Sequence, residues 1–205
     1  MSGPITIGRV IIDGASGHSI YGSGWMGDDP YQRGVAGVVR RIQQTQTGRI
    51  LVEAIGRTLR IVPNPNQNQC NAGTRPAPQH FIGFVPTTFD QNRRDATRTG
   101  EWACPITAAP AGLGTGRGAD VVIEFTPDEF TPGNQLYCAA GNPILDNQAD
   151  VALVHELFHG VQMTRGRMDC RPLQGSLAGY RDRSEYNAIL VENIYRSETR
   201  PGGIT

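Results

Sequence analysis

The sequence predicts a small α+β domain in which a few helices and a short sheet carry long loops. Three observations predict it. Short β-branched segments alternate with longer segments of helical spacing, the regular segments are far apart, and the stretches between them are rich in Gly and Pro. At 205 residues the chain suits one domain, 1–205, long enough to bury a core without help from metals or disulfides. Its 26 Gly and 14 Pro against 38% apolar residues place much of it outside regular structure, above all in 1–30 and 63–118.

Taken in order, Ile5–Asp13 has the β-branched content of a strand, and a Gly/Ser/Asp-rich loop runs from there to Pro30. Val35, Val38, Val39 and Ile42 recur at helical spacing, which predicts a helix over Tyr31–Gln44. Thr47–Gly48 interrupts it, Arg49–Ile55 forms a further turn or two, and Gly56 ends that piece. Thr58–Val62 is a short strand, and a second short strand is expected at His80–Val85. The glycine run Gly112–Gly118 does not have G-x-G-x-x-G spacing and follows no strand, so it reads as loop. Ala119–Phe125 is the clearest strand of the chain. Asn147–Met163 reads as a helix with Asn147 as N-cap and Gly166 placed to terminate it, and Arg183–Ser197 as a last helix capped by Asp182.

Composition excludes several classes of function. The formal net charge is zero, so no global field draws the chain to nucleic acid or to an anionic membrane. No stretch approaches the length of a membrane span, and Met1–Gly14 lacks the basic start and long apolar run of a classical signal peptide. All 19 basic residues are Arg. A GC-rich genome accounts for that bias, and a protein that avoids ubiquitination by lacking lysine is the sharper alternative. Cys70, Cys104, Cys138 and Cys170 contain no C-x-x-C pair, which argues against a zinc ribbon and leaves two disulfides or four thiols open.

The chemistry concentrates in Val151–Gly160, VALVHELFHG. Apolar residues lie on every side of this helix, so it is expected to be buried. Two imidazoles and a carboxylate in such a place need a shared partner, because an isolated buried charge is costly. Residues four apart share a helix face, so His155 and His159 can address one ion, while Glu156 points about a quarter-turn away, toward a metal-bound water. This is the H-E-x-x-H arrangement of zinc hydrolases, with Zn2+ as cofactor and Glu156 as catalytic base. A chance match on a core helix is the bland alternative.

A catalytic zinc needs a third protein ligand and an open position. Gln162 and Arg165 stand where the metzincin pattern needs Gly and His, so that class is excluded. His18 and His80 lie far upstream in predicted loops. The last helix offers Glu185 and Glu192, seven residues apart and near one face, with Ala188 and Ile189 between them. Glu185 is the first choice, in a His-His-Glu set like that of thermolysin-like enzymes, and Glu192 is the second. The one that is not a ligand can bind a histidine's other nitrogen from outside. Asp169 and Asp182 are weaker, being set in polar loop. A plain acidic residue favoured by the helix dipole is the alternative for Glu185. Tyr195, Tyr180 and Arg181 are unranked candidates for stabilising an oxyanion.

HELFHG followed by SEYNAILVENIYRSE, together with QTQTGRILVEAIG and TLRIV upstream, resembles bacterial secreted effector and toxin zinc metallopeptidases. The resemblance covers scattered segments from about Val35 to Glu198. It implies a small gluzincin-like zincin fold, with an active-site helix and a C-terminal ligand helix packed on a short mixed sheet. It implies metal ligands His155, His159 and Glu185, Glu156 as general base, and Ala119–Phe125 as the edge strand that pairs with an extended protein or peptide substrate. It further implies delivery into a target cell, with a secretion apparatus or a cognate immunity protein as partner. A zinc hydrolase of cell-wall peptides and a metal-stabilised binding module without turnover are the rival readings.

Overall fold

The computed structural model describes residues 4–14, 28–63, 72–76, 118, 120–130, 149–180 and 182–199. These form a mixed five-stranded sheet and four helices, an α+β arrangement as the sequence predicts. The predicted strand His80–Val85, the glycine run up to Arg117, the cap Asn147, and His18, His80 and Arg181 lie outside the described residues.

The first predicted strand is two. β1 (Ile5–Ile7) and β2 (Val10–Ile12) form an antiparallel hairpin in which Ile5 faces Ile12 and Ile7 faces Val10. The turn needs a left-handed residue, and Gly8, with φ of 59°, supplies it without the steric cost of a Cβ. Helix α1 (Asp28–Ile42) follows, then α2 (Gln46–Ala54), whose start is fixed by Thr45: its hydroxyl accepts from the Gly48 amide at 2.9 Å. β3 (Leu59–Val62) pairs parallel with β2, and β5 (Val121–Glu124) pairs parallel with β3.

β5 is not an edge strand, contrary to the expectation for Ala119–Phe125. β4 (Gly73–Pro76) pairs antiparallel along its outer side, Thr74 facing Ile123 and Pro76 facing Val121, so the order is β1-β2-β3-β5-β4. The sequence Gly-Thr-Arg-Pro carries no β-branched run and is joined to the sheet through its backbone. A proline at its end, which cannot donate to a ladder, suits an outer strand.

Alternate residues of the three parallel strands, Val10 and Ile12, Leu59 and Ile61, Val121 and Ile123, join one core with α1, α2 and helix α3 (Ala149–Thr164). That helix runs through the middle of the molecule, against the sheet and against α1, α2 and α4 (Arg183–Thr199). Gly160 lets it approach β3: a Cβ there would lie 2.5 Å from Leu59 Cδ1. Gly166, with φ of 62°, ends it in a Schellman motif, with Arg167 N–H donating to Gln162 O at 2.7 Å and Gly166 N–H to Met163 O at 3.1 Å. Among the described residues no helix is long and apolar enough to cross a membrane.

Candidate metal centre

The site is built where α4 lies antiparallel against α3. Polar contacts mark the register along the pair. Tyr195 donates to Asp150 Oδ2 at 2.8 Å, His155 meets Glu192, and His159 meets Ser184 and Glu185. Ala188, fully buried, lets the helices close between them. The start of α4 is held by the preceding segment, Arg183 N–H donating to Arg171 O and Ser184 N–H to Asp169 O at 3.1 and 2.8 Å. Asp182 caps the helix, its Oδ1 accepting from the Glu185 amide at 3.0 Å, which fixes the position of Glu185.

These constraints bring three donors to one point. The Nε2 atoms of His155 and His159 are 3.0 Å apart, and the Glu185 carboxylate lies 3.5 Å from the first and 3.4 Å from the second. Two nitrogens, each about 2.0–2.1 Å from a tetrahedral zinc, would be roughly 3.4 Å apart, so the two carboxylate distances match such an ion and the nitrogen pair is tighter than it needs. His155, His159 and Glu185 form a group able to hold a metal ion. Glu192, the second choice from sequence, lies on the far side of His155, its Oε1 2.6 Å from Nδ1.

Each histidine is oriented from behind. Glu192 accepts from His155 Nδ1–H and leaves Nε2 facing the centre. Behind His159, the Ser184 hydroxyl donates to Gln162 Oε1 and lies 3.0 Å from Nδ1. A hydroxyl whose proton goes to Gln162 can only accept from Nδ1–H, so the same tautomer follows and the His159 Nε2 lone pair also faces the centre. Glu156 is buried beside them, and Thr74 of β4 donates to its Oε2 at 2.5 Å and to its backbone carbonyl at 3.0 Å. Arg196 approaches Glu192 at 3.8 Å.

Three carboxylates around two imidazoles make a strongly negative site. Burial of His155 works against its charge, but the hydrogen-bonded carboxylates of Glu185 and Glu192 and the fields of Glu156 and Glu192 outweigh it and push its pKa up to about 10. The arrangement demands positive charge at its centre, supplied by a proton or by a metal ion.

The other sequence candidates serve elsewhere. Asp169 binds the Arg171 guanidinium through both oxygens, at 2.9 and 2.7 Å, which holds its carboxyl below the usual range. Tyr195 is buried against Asp150, and Tyr180 packs edge-to-face on Tyr186. Cys170 is disulfide-bonded, and Cys70, Cys104 and Cys138 lie outside the described residues. Sequence reasoning missed Thr74, Ser184 and Gln162. Ser184 was within reach of it, one residue before Glu185 on the same helix. Thr74 was not, because a four-residue strand holding Gly and Pro has no periodicity.

Fold and site together define a small α+β domain with a candidate His-His-Glu metal centre. No protein-family model, curated protein or solved structure matches this chain.

Proposed function

We propose that this chain is a zinc-dependent endopeptidase, with His155, His159 and Glu185 as metal ligands and Glu156 as general base. The observation that supports it best is the convergence, among the described residues, of three donors on one point with a carboxylate held beside it, the three-ligand pattern that in a catalytic zinc site keeps a position open for water and substrate. Zinc bound there supplies Lewis acidity, polarising the scissile carbonyl and lowering the pKa of water to near 7. Glu156 takes the proton of the attacking water and delivers it to the leaving amine nitrogen as the C–N bond breaks. Thr74 aims that carboxylate by holding one of its oxygens, so the other is available to the proton. Glu192 and the Ser184–Gln162 pair keep both imidazoles in the tautomer a ligand needs.

An extended substrate would add to the sheet by main-chain pairing along β4, the outer strand on that side among the described residues. The resemblance to secreted effector and toxin peptidases supports a substrate protein in a target cell, with a secretion apparatus or an immunity protein as partner. The Cys170 disulfide favours passage through an oxidising compartment. The same observation favours a second reading, hydrolysis of cell-wall peptides, which incubation with purified peptidoglycan separates from proteolysis. The deciding experiment measures bound metal and peptide cleavage for wild type, Glu156→Ala and Glu185→Ala. Zinc retained without cleavage in the first, and zinc lost in the second, are expected. Absence of stoichiometric metal in wild type, or normal cleavage by Glu156→Ala, refutes the proposal.

A further inference from the structure

At the C-terminal end of α3, away from the histidines, four arginines from separate parts of the chain meet around a cleft of about 680 Å³. Arg9 comes from the β1–β2 turn, Arg57 from the α2–β3 connection, and Arg165 and Arg167 from the end of α3; Glu53 is the one carboxylate in the lining. Two of the guanidiniums are committed. Arg9 donates to Gly56 O and Arg165 to Ala54 O, where the carbonyl end of α2 favours positive charge. The side chains of Arg57 and Arg167 make no hydrogen bond or ion pair among the described residues.

Their backbones are nevertheless fixed. Arg57 sits between Gly56, whose N–H donates to Thr164 Oγ1 at 3.0 Å, and Thr58, whose N–H donates to Asp120 Oδ1 at 3.1 Å. Arg167 is pinned by its N–H to Gln162 O at 2.7 Å. The two segments meet closely on the Thr164 carbonyl, against which a Cβ at Gly56 would lie at 2.8 Å. Two exposed guanidiniums therefore project from a rigid frame, beside two more that have donors to spare. Like charges held together in this way repel one another unless an anion joins them.

We infer that this cleft binds a phosphate-bearing ligand. Guanidinium forks match phosphate oxygens two at a time, and a frame already fixed loses little freedom on binding. The cleft lies within the size range of small-ligand sites and is open to solvent between three chain segments, where a soluble phosphate compound can reach all four guanidiniums.

The test is calorimetric titration of the full chain with inorganic pyrophosphate, at ionic strength held constant with chloride, for wild type and for the Arg57→Gln/Arg167→Gln double variant. Any stripping of metal by the probe is common to both proteins and cancels in the comparison. Saturable 1:1 binding by wild type is expected, with a loss on the order of tenfold for each guanidinium removed. Circular dichroism checks that the double variant folds, and an Arg57→Lys/Arg167→Lys pair, keeping the charge without the fork, is expected to bind at an intermediate level. A parallel arm sediments both proteins with phosphatidylcholine vesicles containing phosphatidylinositol phosphate. Arginine-dependent sedimentation with weak pyrophosphate binding would keep the phosphate chemistry and move its source to a membrane. Equal binding by wild type and the double variant, no binding in either arm, or binding of oligoglutamate in place of both probes would overturn the inference.

Discussion

Two stretches of α3 carry opposite chemistry, an acidic end of the contrast at mid-helix around His155 and His159 and a basic end at the helix C-terminus. Around His155 and His159, three carboxylates lie close together, and every one is engaged by an imidazole or a hydroxyl. Around the C-terminus of the helix, four arginines surround one carboxylate, and two of the four guanidiniums make no polar contact among the described residues. A chain of zero net charge thus separates its charges along one buried helix. Average composition says nothing about such local fields, because a field depends on which residues the fold gathers. The ends differ also in mechanism. The acidic end is partly buried and aimed inward, so its lone pairs converge on a point that a single small cation can occupy. The basic end is exposed and presents donors outward, which suits a larger anion reached from solvent.

On the proposed peptidase reading, the largest expected effect comes from removing the proposed base at the acidic end. Glu156→Gln should lower peptide cleavage by about two to four orders of magnitude while leaving zinc content unchanged, as read by activity assay and metal analysis on the same sample. Removal of a partner behind a ligand should be milder. Glu192→Gln replaces the carboxylate behind His155 with a neutral acceptor, and zinc affinity should fall about 10–100-fold, measured by competition with a chromophoric chelator. If Glu192 were itself a ligand, the substitution would abolish stoichiometric binding instead.

Titration sharpens the same contrast. In the metal-free protein His155 keeps its proton up to about pH 10, well above its ordinary value of 6.5. A raised folded-state value means that the stability it contributes is fully present below pH 6.5 and is lost as pH rises toward 10. A metal ion must displace that proton, so zinc affinity should run the other way, strengthening about tenfold per pH unit across the neutral range. Calorimetry in buffers of different ionisation enthalpy would count close to one proton released per zinc at pH 7.5. No release would show that His155 is neutral in the metal-free protein and that the carboxylates do not act on it as described.

Much of this was legible from spacing. The helical period placed α1, α3 and α4 within a few residues of their ends, and Gly166 and Asp182 marked two boundaries because their roles are local: a left-handed residue and a side-chain cap. His155, Glu156 and His159 were legible for the same reason, since one helix fixes their geometry. Glu185 was a choice between two residues on one face, and what separates them is the register of α4 on α3, set by Asp182 and by the backbone ties of Ser184 and Arg183. No periodicity encodes that register. The hairpin at Gly8 was hidden because strand content on both sides of a two-residue turn reads as one run. β4 was hidden because its pairing with β5 is made by the backbone. The arginine cleft was invisible for a different reason: its four members come from three distant segments, and none is unusual alone.

The smallest expected effect compares the frames on which the two ends are built. Asp182→Ala removes the cap that fixes the first turn of α4, at a cost of about 1 kcal/mol in unfolding free energy. Asp182 is buried and its acceptor directly sets the Glu185 amide, so zinc affinity should weaken along with stability, and Asp182→Asn, which keeps an oxygen at the same place, should restore most of both. At the basic end, Arg165→Gln removes a donor from Ala54 O, but that side chain is exposed and water can replace it. Its cost should stay within about 0.5 kcal/mol, with zinc binding untouched. Chemical denaturation of the two variants beside wild type measures both. Equal losses would mean that the arginines, like the cap, hold the fold together, and the opposition between a built-in acidic centre and an outward basic cleft would narrow to a difference of charge alone.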